Sequence, residues 1–306
     1  MSLRLREGLA SGLMEFIVHD TLSVMGRLLR GPLEKRPDAL REMLAPLWSD
    51  IPAQMAGDVI ATHHDGGGFR VDADDPRYEE ALAELESADV LGRIEHELTR
   101  AADRLAHLGG PGGTQVMFVL GNPDDAYLMN VSGGYLGMGG TPGWLYVMAW
   151  PTPENLGRIA HCAVHELHHR LRHHVVGWDP PTVTVGDHVV SEGLAEAFVR
   201  ELSGPEAMGP WSAMVTGEAL ENAYTAIMAD IDLQGMWNTP AYVLGDAAAE
   251  RFGAAEGHPG HGRVRRRPAA RRRPPGRHRH DGHGELGSAR RRHPQGEPLT
   301  GTNPDS

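Results

Sequence analysis

In the run His165-Glu166-Leu167-His168-His169, two histidines stand four residues apart and a glutamate directly follows the first. On an α-helix, positions four apart share one face and lie about 6 Å apart along the axis, so His165 and His169 can hold one small cation between their imidazoles. Glu166 then stands beside the cation without ligating it. Downstream, Ser191-Glu192-Gly193-Leu194-Ala195-Glu196 supplies Glu192 as a carboxylate that can close the site. A Zn²⁺ ion with three protein ligands keeps a fourth position for water, lowers that water's pKa towards about 7, and leaves a neighbouring carboxylate to take its proton. The chemistry within reach is hydrolysis, with His165, His169 and Glu192 as ligands of one Zn²⁺ and Glu166 as general base. Glu196, one turn beyond Glu192, is suited to hold His165 or His169 through the other ring nitrogen.

Two helices must position these groups. The first is predicted to open at Thr152-Pro153-Glu154, with Thr as N-cap and Pro at the first helical position. Leu156, Ile159, Ala160, Ala163, Val164, Leu167 and Leu171 then recur at helical spacing and define a buried face. The second helix is predicted over roughly 187–202, placing Glu192 and Glu196 on one face. A metzincin arrangement is excluded, because it needs Gly and His where this chain has Arg172 and Val175. His173 lies about 12 Å along the helix from His165, too far to share its ion. His168, His173 and His174 therefore read as surface residues or as partners of the ligands.

Thr114–Leu120 and Trp144–Ala149 are short β-branched and aromatic runs bounded by Gly, Pro, Asn and Asp, which predict strands. The second ends just before the metal helix. It has two readings: a strand that pairs with an extended substrate, or a buried core strand. The Gly-rich stretch 132–143 between the strands lacks the Gly-Lys-Ser/Thr of a phosphate loop and reads as turns.

The segment from about Thr114 to Phe252 resembles the bacterial predicted Zn-dependent protease family catalogued as domain of unknown function 2268. The residues that carry the resemblance are H-E-L-H-H, S-E-G-L-A-E and the later Tyr242-Val243-Leu244-Gly245. The resemblance implies a gluzincin-like core in which the Glu of the S-E-G helix is the third ligand, and it implies no particular substrate. It also makes Tyr242 a candidate donor to the oxyanion of a tetrahedral intermediate, beside the reading of Tyr242 as a core residue.

Upstream, 38–47 and 77–107 are rich in Ala, Leu, Glu and Arg and predict helices; the second ends at Leu108-Gly109-Gly110-Pro111. His63-His64-Asp65 sits in a Gly-rich context without a third ligand and reads as a solvated loop. The apolar stretch 3–29 is interrupted by Glu15, His19 and Asp20, so it predicts neither a secretory segment nor a membrane span. Cys162 is the one cysteine and reads as a small buried helix residue, which fits a cytoplasmic protein. Trp178 and Trp237 read as packing.

The last fifty residues differ in kind. Residues 257–306 hold 12 Arg and 4 acidic residues (net +8), against 17 Lys and Arg and 37 acidic residues in 1–256 (net −20). So few apolar residues predict disorder. Two origins remain open: a basic tail able to bind nucleic acid, or an unselected extension of the kind GC-rich DNA yields when read out of frame.

The expectation is an α+β, helix-dominated fold with a zincin-like core and a small β-sheet. Residues 1–108 form a helical region packed on the core, 109–255 the metallopeptidase core, and 256–306 a disordered tail. The expected function is zinc-dependent hydrolysis of a peptide or protein substrate. The alternative is a non-catalytic, zinc-stabilised regulator or binding protein on the same scaffold.

Overall fold

The runs 114–120 and 144–149 pair as the centre of a four-stranded sheet. A computed structural model of the chain describes residues 14–51 and 57–245, together with 247, 248 and 251. In chain order the elements are β1 (Phe16–Val18), α1 (Thr21–Arg30), α2 (Arg36–Trp48), α3 (Val59–Asp65), α4 (Arg77–Ser87), α5 (Val90–Leu105), β2 (Thr114–Leu120), β3 (Tyr135–Met138), β4 (Trp144–Ala149), α6 (Ile159–Val176), α7 (Val185–Ser203), α8 (Gly217–Ala229) and α9 (Pro240–Val243). The fold is helix-dominated α+β, as expected. The predicted tail, and the question of its origin, lie outside the described residues.

The sheet order is β1-β2-β4-β3, parallel at β1-β2 and β2-β4 and antiparallel at β4-β3. β2 and β4 run side by side from Gln115↔Trp144 to Leu120↔Ala149. All six side chains of β4 are buried, which is the pattern of an inner strand covered on both faces. β4 has partners on both edges, so its backbone cannot take up a substrate strand, and the core-strand reading is the correct one. Among the described residues the open edge beside α6 belongs instead to β3, which lies in the stretch predicted as turns. Its glycines hid the alternation that marks a strand.

Three other expectations are corrected. The metal helix opens at Ile159, not at Thr152, and 153–158 are turns. Buried Asn155 holds those turns: its side-chain oxygen accepts from Thr152 N–H at 2.9 Å, and its amide donates to the carbonyls of Trp150 (2.9 Å) and Gly133 (3.1 Å). The predicted helix over 77–107 is broken at Ala88-Asp89, where Asp89 adopts φ 48°, a left-handed conformation that a continuous helix does not accommodate. His63-His64-Asp65 is the end of α3 rather than a loop, and the His63 side chain is buried.

One hydrophobic core joins Leu22, Met25, Leu40, Leu44, Leu85, Ile94 and Leu98 of the first helices to Phe118 and Val147 of the sheet and to Ile159, Val164 and Leu167 of α6. α6 packs on β3 and β4 and is flanked by α5 and α7. No helix among the described residues is long and apolar enough to cross a membrane.

Candidate metal centre

α6 and α7 cross so that the metal motif faces the S-E-G helix. α7 is started firmly: Thr184 Oγ1 accepts from Asp187 N–H at 3.0 Å while the Asp187 carboxylate accepts from Thr184 N–H at 3.0 Å, a reciprocal capping box. On α7, Ser191 and Ala195 are buried while Val190 and Leu194 are 47% and 45% exposed, so the helix turns the Ser191-Glu192-Ala195-Glu196 side inward.

His165 Nε2 and His169 Nε2 lie 2.9 Å apart, and the Glu192 carboxylate reaches both, Oε2 at 3.1 Å from His165 and Oε1 at 3.3 Å from His169. The opposite ring nitrogens are anchored. His165 Nδ1–H donates to Glu196 Oε1 at 3.1 Å, and His169 Nδ1 meets the buried Ser191 hydroxyl at 3.0 Å. Glu196 is itself fixed, its Oε1 accepting from Trp211 Nε1–H and its Oε2 from Gly209 N–H, each at 3.1 Å. Of the two histidines offered as its partner, Glu196 contacts His165. Ser191, within α7, and Trp211 and Gly209, in the segment after it, are partners that sequence reasoning missed, because each meets its partner by tertiary contact and no periodic signal announces it.

Glu166 is buried beside this cluster, and one of its oxygens lies within 4.8 Å of a nitrogen of each histidine. It therefore competes on distance with Glu192 for the role of ligand. Glu192 is the better placed of the two, since its two oxygens touch both Nε2 atoms. Glu166 instead accepts a backbone hydrogen bond from Gly139 at the end of β3. The approach of β3 is close: a Cβ at Gly137 would stand 2.5 Å from Glu166 Cγ.

The electrostatics call for positive charge. Burial alone would depress the His165 imidazole, but hydrogen bonds to Glu192 and Glu196 and the nearby Glu166 outweigh it and raise its pKa to about 10. Burial would raise the Glu192 carboxyl, yet its contacts with His165, His169 and His188 hold it far below the usual carboxylate range. Burial dominates at Glu166 and pushes it up, against the pull of His165 and His169. With His165 Nδ1–H committed to Glu196, its neutral form carries a lone pair on Nε2. That lone pair, its counterpart on His169 and the Glu192 oxygens converge within 3.3 Å, and such a cluster repels itself unless a cation or protons sit within it. The donor set of two imidazoles and a carboxylate is the set that suits Zn²⁺.

The cluster opens into a cleft of about 90 Å³ lined by Gly139, Gly140, Glu166, His169, His173, Trp178, His188, Ser191 and Glu192. His173 stacks on Trp178 with ring centroids 4.3 Å apart, and His174 is exposed. His168 packs on Phe198. Tyr242 is not among the lining residues, and its hydroxyl donates to Asp230 at 2.7 Å. Trp178 lines the cleft as well as packing, whereas Trp237 is 54% exposed and does not pack as expected. A larger groove of about 380 Å³, between α1 and α4, contains none of the metal-site residues.

Comparison with known proteins agrees with the motif. The protein named "Uncharacterized protein YjfC" of Bacillus subtilis (strain 168) is 37% identical over 129 residues, 42% of this chain and 43% of that protein, so the chain spans less than half of that relative's length. No solved structure matches the chain. The family described as "Predicted Zn-dependent protease (DUF2268)" matches residues 94–262, more than half of the sequence and inclusive of both metal-site helices, and the chain belongs to that family.

Proposed function

We propose that the chain is a zinc metallopeptidase with a zincin-like core, holding one Zn²⁺ through His165, His169 and Glu192. The observation that carries this reading is the convergence of three donors from two helices, with a fourth group, Glu166, buried beside them and held from β3. When bound, zinc would supply Lewis acidity and lower the pKa of water in its open position.

The protein's own groups do the remainder. Glu196 and Ser191 orient the two imidazoles. Glu166, its basicity raised by burial, takes the proton from the attacking water and passes it to the leaving amine nitrogen. The water oxygen bonds to the carbonyl carbon, the π pair moves to the carbonyl oxygen, and collapse of that adduct restores C=O and breaks C–N. The peptide is presented by β3: among the described residues this strand pairs only with β4, so its outer backbone edge is open to an extended chain next to Glu166. The substrate is accordingly a peptide or protein segment in extended form, and the lone, buried Cys162 suits a cytoplasmic setting.

Elemental analysis and turnover of the same preparations test the reading. About one zinc per wild-type chain is expected, with sharp loss in His169→Ala and Glu192→Ala. Glu166→Gln is expected to keep its zinc and lose cleavage of a peptide library by about 100-fold or more. Equal turnover in Glu166→Gln would favour a non-catalytic zinc protein instead.

A further inference from the structure

One polar group in the cleft has no part in the chemistry so far. His188 lies on α7, one turn before Glu192 and on the same face, and it lines the cleft together with Glu166 and His169. Its ring is clamped. Nδ1 lies 2.7 Å from Oγ1 of Thr239, a residue with 0% exposure, and Trp178 stands edge-on to the imidazole with centroids 6.0 Å apart.

The tautomer of His188 is tied to Thr239. Thr239 Oγ1 has one hydrogen and two acceptors in reach, His188 Nδ1 at 2.7 Å and the Met236 carbonyl at 3.3 Å. A distance of 2.7 Å suits a hydroxyl donor and an N–H donor alike, so the tautomer of His188 follows from which of the two acceptors receives the Thr239 hydrogen. With the Thr239 hydroxyl donating to Nδ1, the hydrogen of neutral His188 resides on Nε2. Nε2 faces Glu192 Oε1, an acceptor, at 3.5 Å, which agrees with that tautomer but is too long for a good hydrogen bond. In that tautomer His188 holds an N–H donor at the cleft whose nearest acceptor is Glu192 Oε1, 3.5 Å away.

Resting on the peptidase reading above, we infer that His188 is the catalytic donor to the scissile carbonyl: its Nε2–H meets the carbonyl oxygen as the π pair moves onto it, and Thr239 is the positioning residue that fixes the tautomer. This gives His188 the task that the family resemblance offered to Tyr242. A preoriented donor of this kind stabilises charge that exists only in the transition state, which is where binding accelerates a reaction.

The test uses the zinc-loaded full chain and two dipeptide ligands of the same sequence. One is an N-phosphoryl dipeptide, whose tetrahedral oxygens mimic the oxyanion; the other is a mercaptoacyl dipeptide, which binds zinc through sulfur and has no such oxygen. Zinc stoichiometry is measured alongside the dissociation constants. His188→Ala is expected to weaken the phosphoryl ligand by about 100-fold and the thiol ligand by less than about threefold, at unchanged zinc content. His188→Gln, which keeps an N–H donor, should recover part of the loss, and Thr239→Val should lose an intermediate amount. Equal losses for both ligands, no loss, or no binding of the phosphoryl ligand by zinc-loaded wild type would overturn the inference. Loss of zinc from His188→Ala would overturn it too, making His188 a fourth ligand. A wild type that takes up no zinc overturns the peptidase reading itself, whereas a zinc-bearing wild type disabled by Glu166→Gln but indifferent to His188→Ala overturns this assignment alone.

Discussion

Glu196 is the residue on which the two-helix site depends most heavily without touching the metal position. Its carboxylate accepts from His165 Nδ1–H, Trp211 Nε1–H and Gly209 N–H, all at 3.1 Å, so it binds α6, α7 and the segment after α7 to one another. A ligand histidine freed from such a partner loses both its tautomer and its aim. Glu196→Ala should therefore lower zinc affinity by about 10- to 100-fold, read by competition with a chromophoric chelator. An affinity equal to wild type would show that His165 is aimed by packing alone. At this scale the sequence was informative wherever spacing along one helix decides geometry, as with His165, Glu166 and His169, or Glu192 and Glu196. It was silent on Ser191, Trp211 and His188, whose roles arise only once α6, α7 and the segments after them are brought together.

The element that sets the shape of the site is β3, and it reaches α6 through glycines. A Cβ at Gly139 would stand 2.5 Å from the Glu166 carbonyl oxygen, and one at Gly140 would meet nothing within 4 Å. The carbonyl belongs to helix backbone and cannot step aside, so a methyl group at 139 has to push the strand end away from α6, and the Gly139 N–H that holds Glu166 moves with it. Gly139→Ala is expected to cut turnover by about tenfold or more while zinc content is preserved, because the disturbed group is the proposed base and not one of the proposed ligands. Gly140→Ala, next along the chain, serves as the control and should behave as wild type. If both variants retain full turnover, the strand does not position Glu166. The same glycines explain why this strand was missed: alternation of side chains is the signal of a strand, and Y-L-G-M-G-G presents little of it. β2 and β4, rich in Val, Met and aromatic residues, were legible to the residue. The start of α6 was not, since Thr-Pro-Glu is a proper helix opening in isolation and only the contacts of Asn155 with Gly133 and Trp150 hold those residues in turns.

For the whole molecule, buried histidine couples folding to pH. Among the described residues the most buried histidine is His63, 3% exposed at the end of α3. Its Nε2–H donates to the Phe69 carbonyl at 2.8 Å, and its Nδ1 has no partner. A second proton would enter a space that cannot solvate it, and burial accordingly lowers the His63 pKa from 6.5 to about 4. The unfolded chain, with its ordinary pKa, binds that proton more readily than the folded one. The stability contributed by neutral His63 is thus fully present above pH 6.5 and is lost as the pH falls from 6.5 towards 4, amounting to about 3 kcal/mol across the window. Denaturant unfolding of wild type and His63→Gln at pH 7, 6, 5 and 4.5 measures it. Glutamine keeps a donor for the Phe69 carbonyl and does not titrate, so the wild type should lose stability faster than the variant by about 1.4 kcal/mol per pH unit within the window. Parallel curves would mean that His63 gains a partner for its second proton, and that the acid limit of this fold is set by the carboxylates instead.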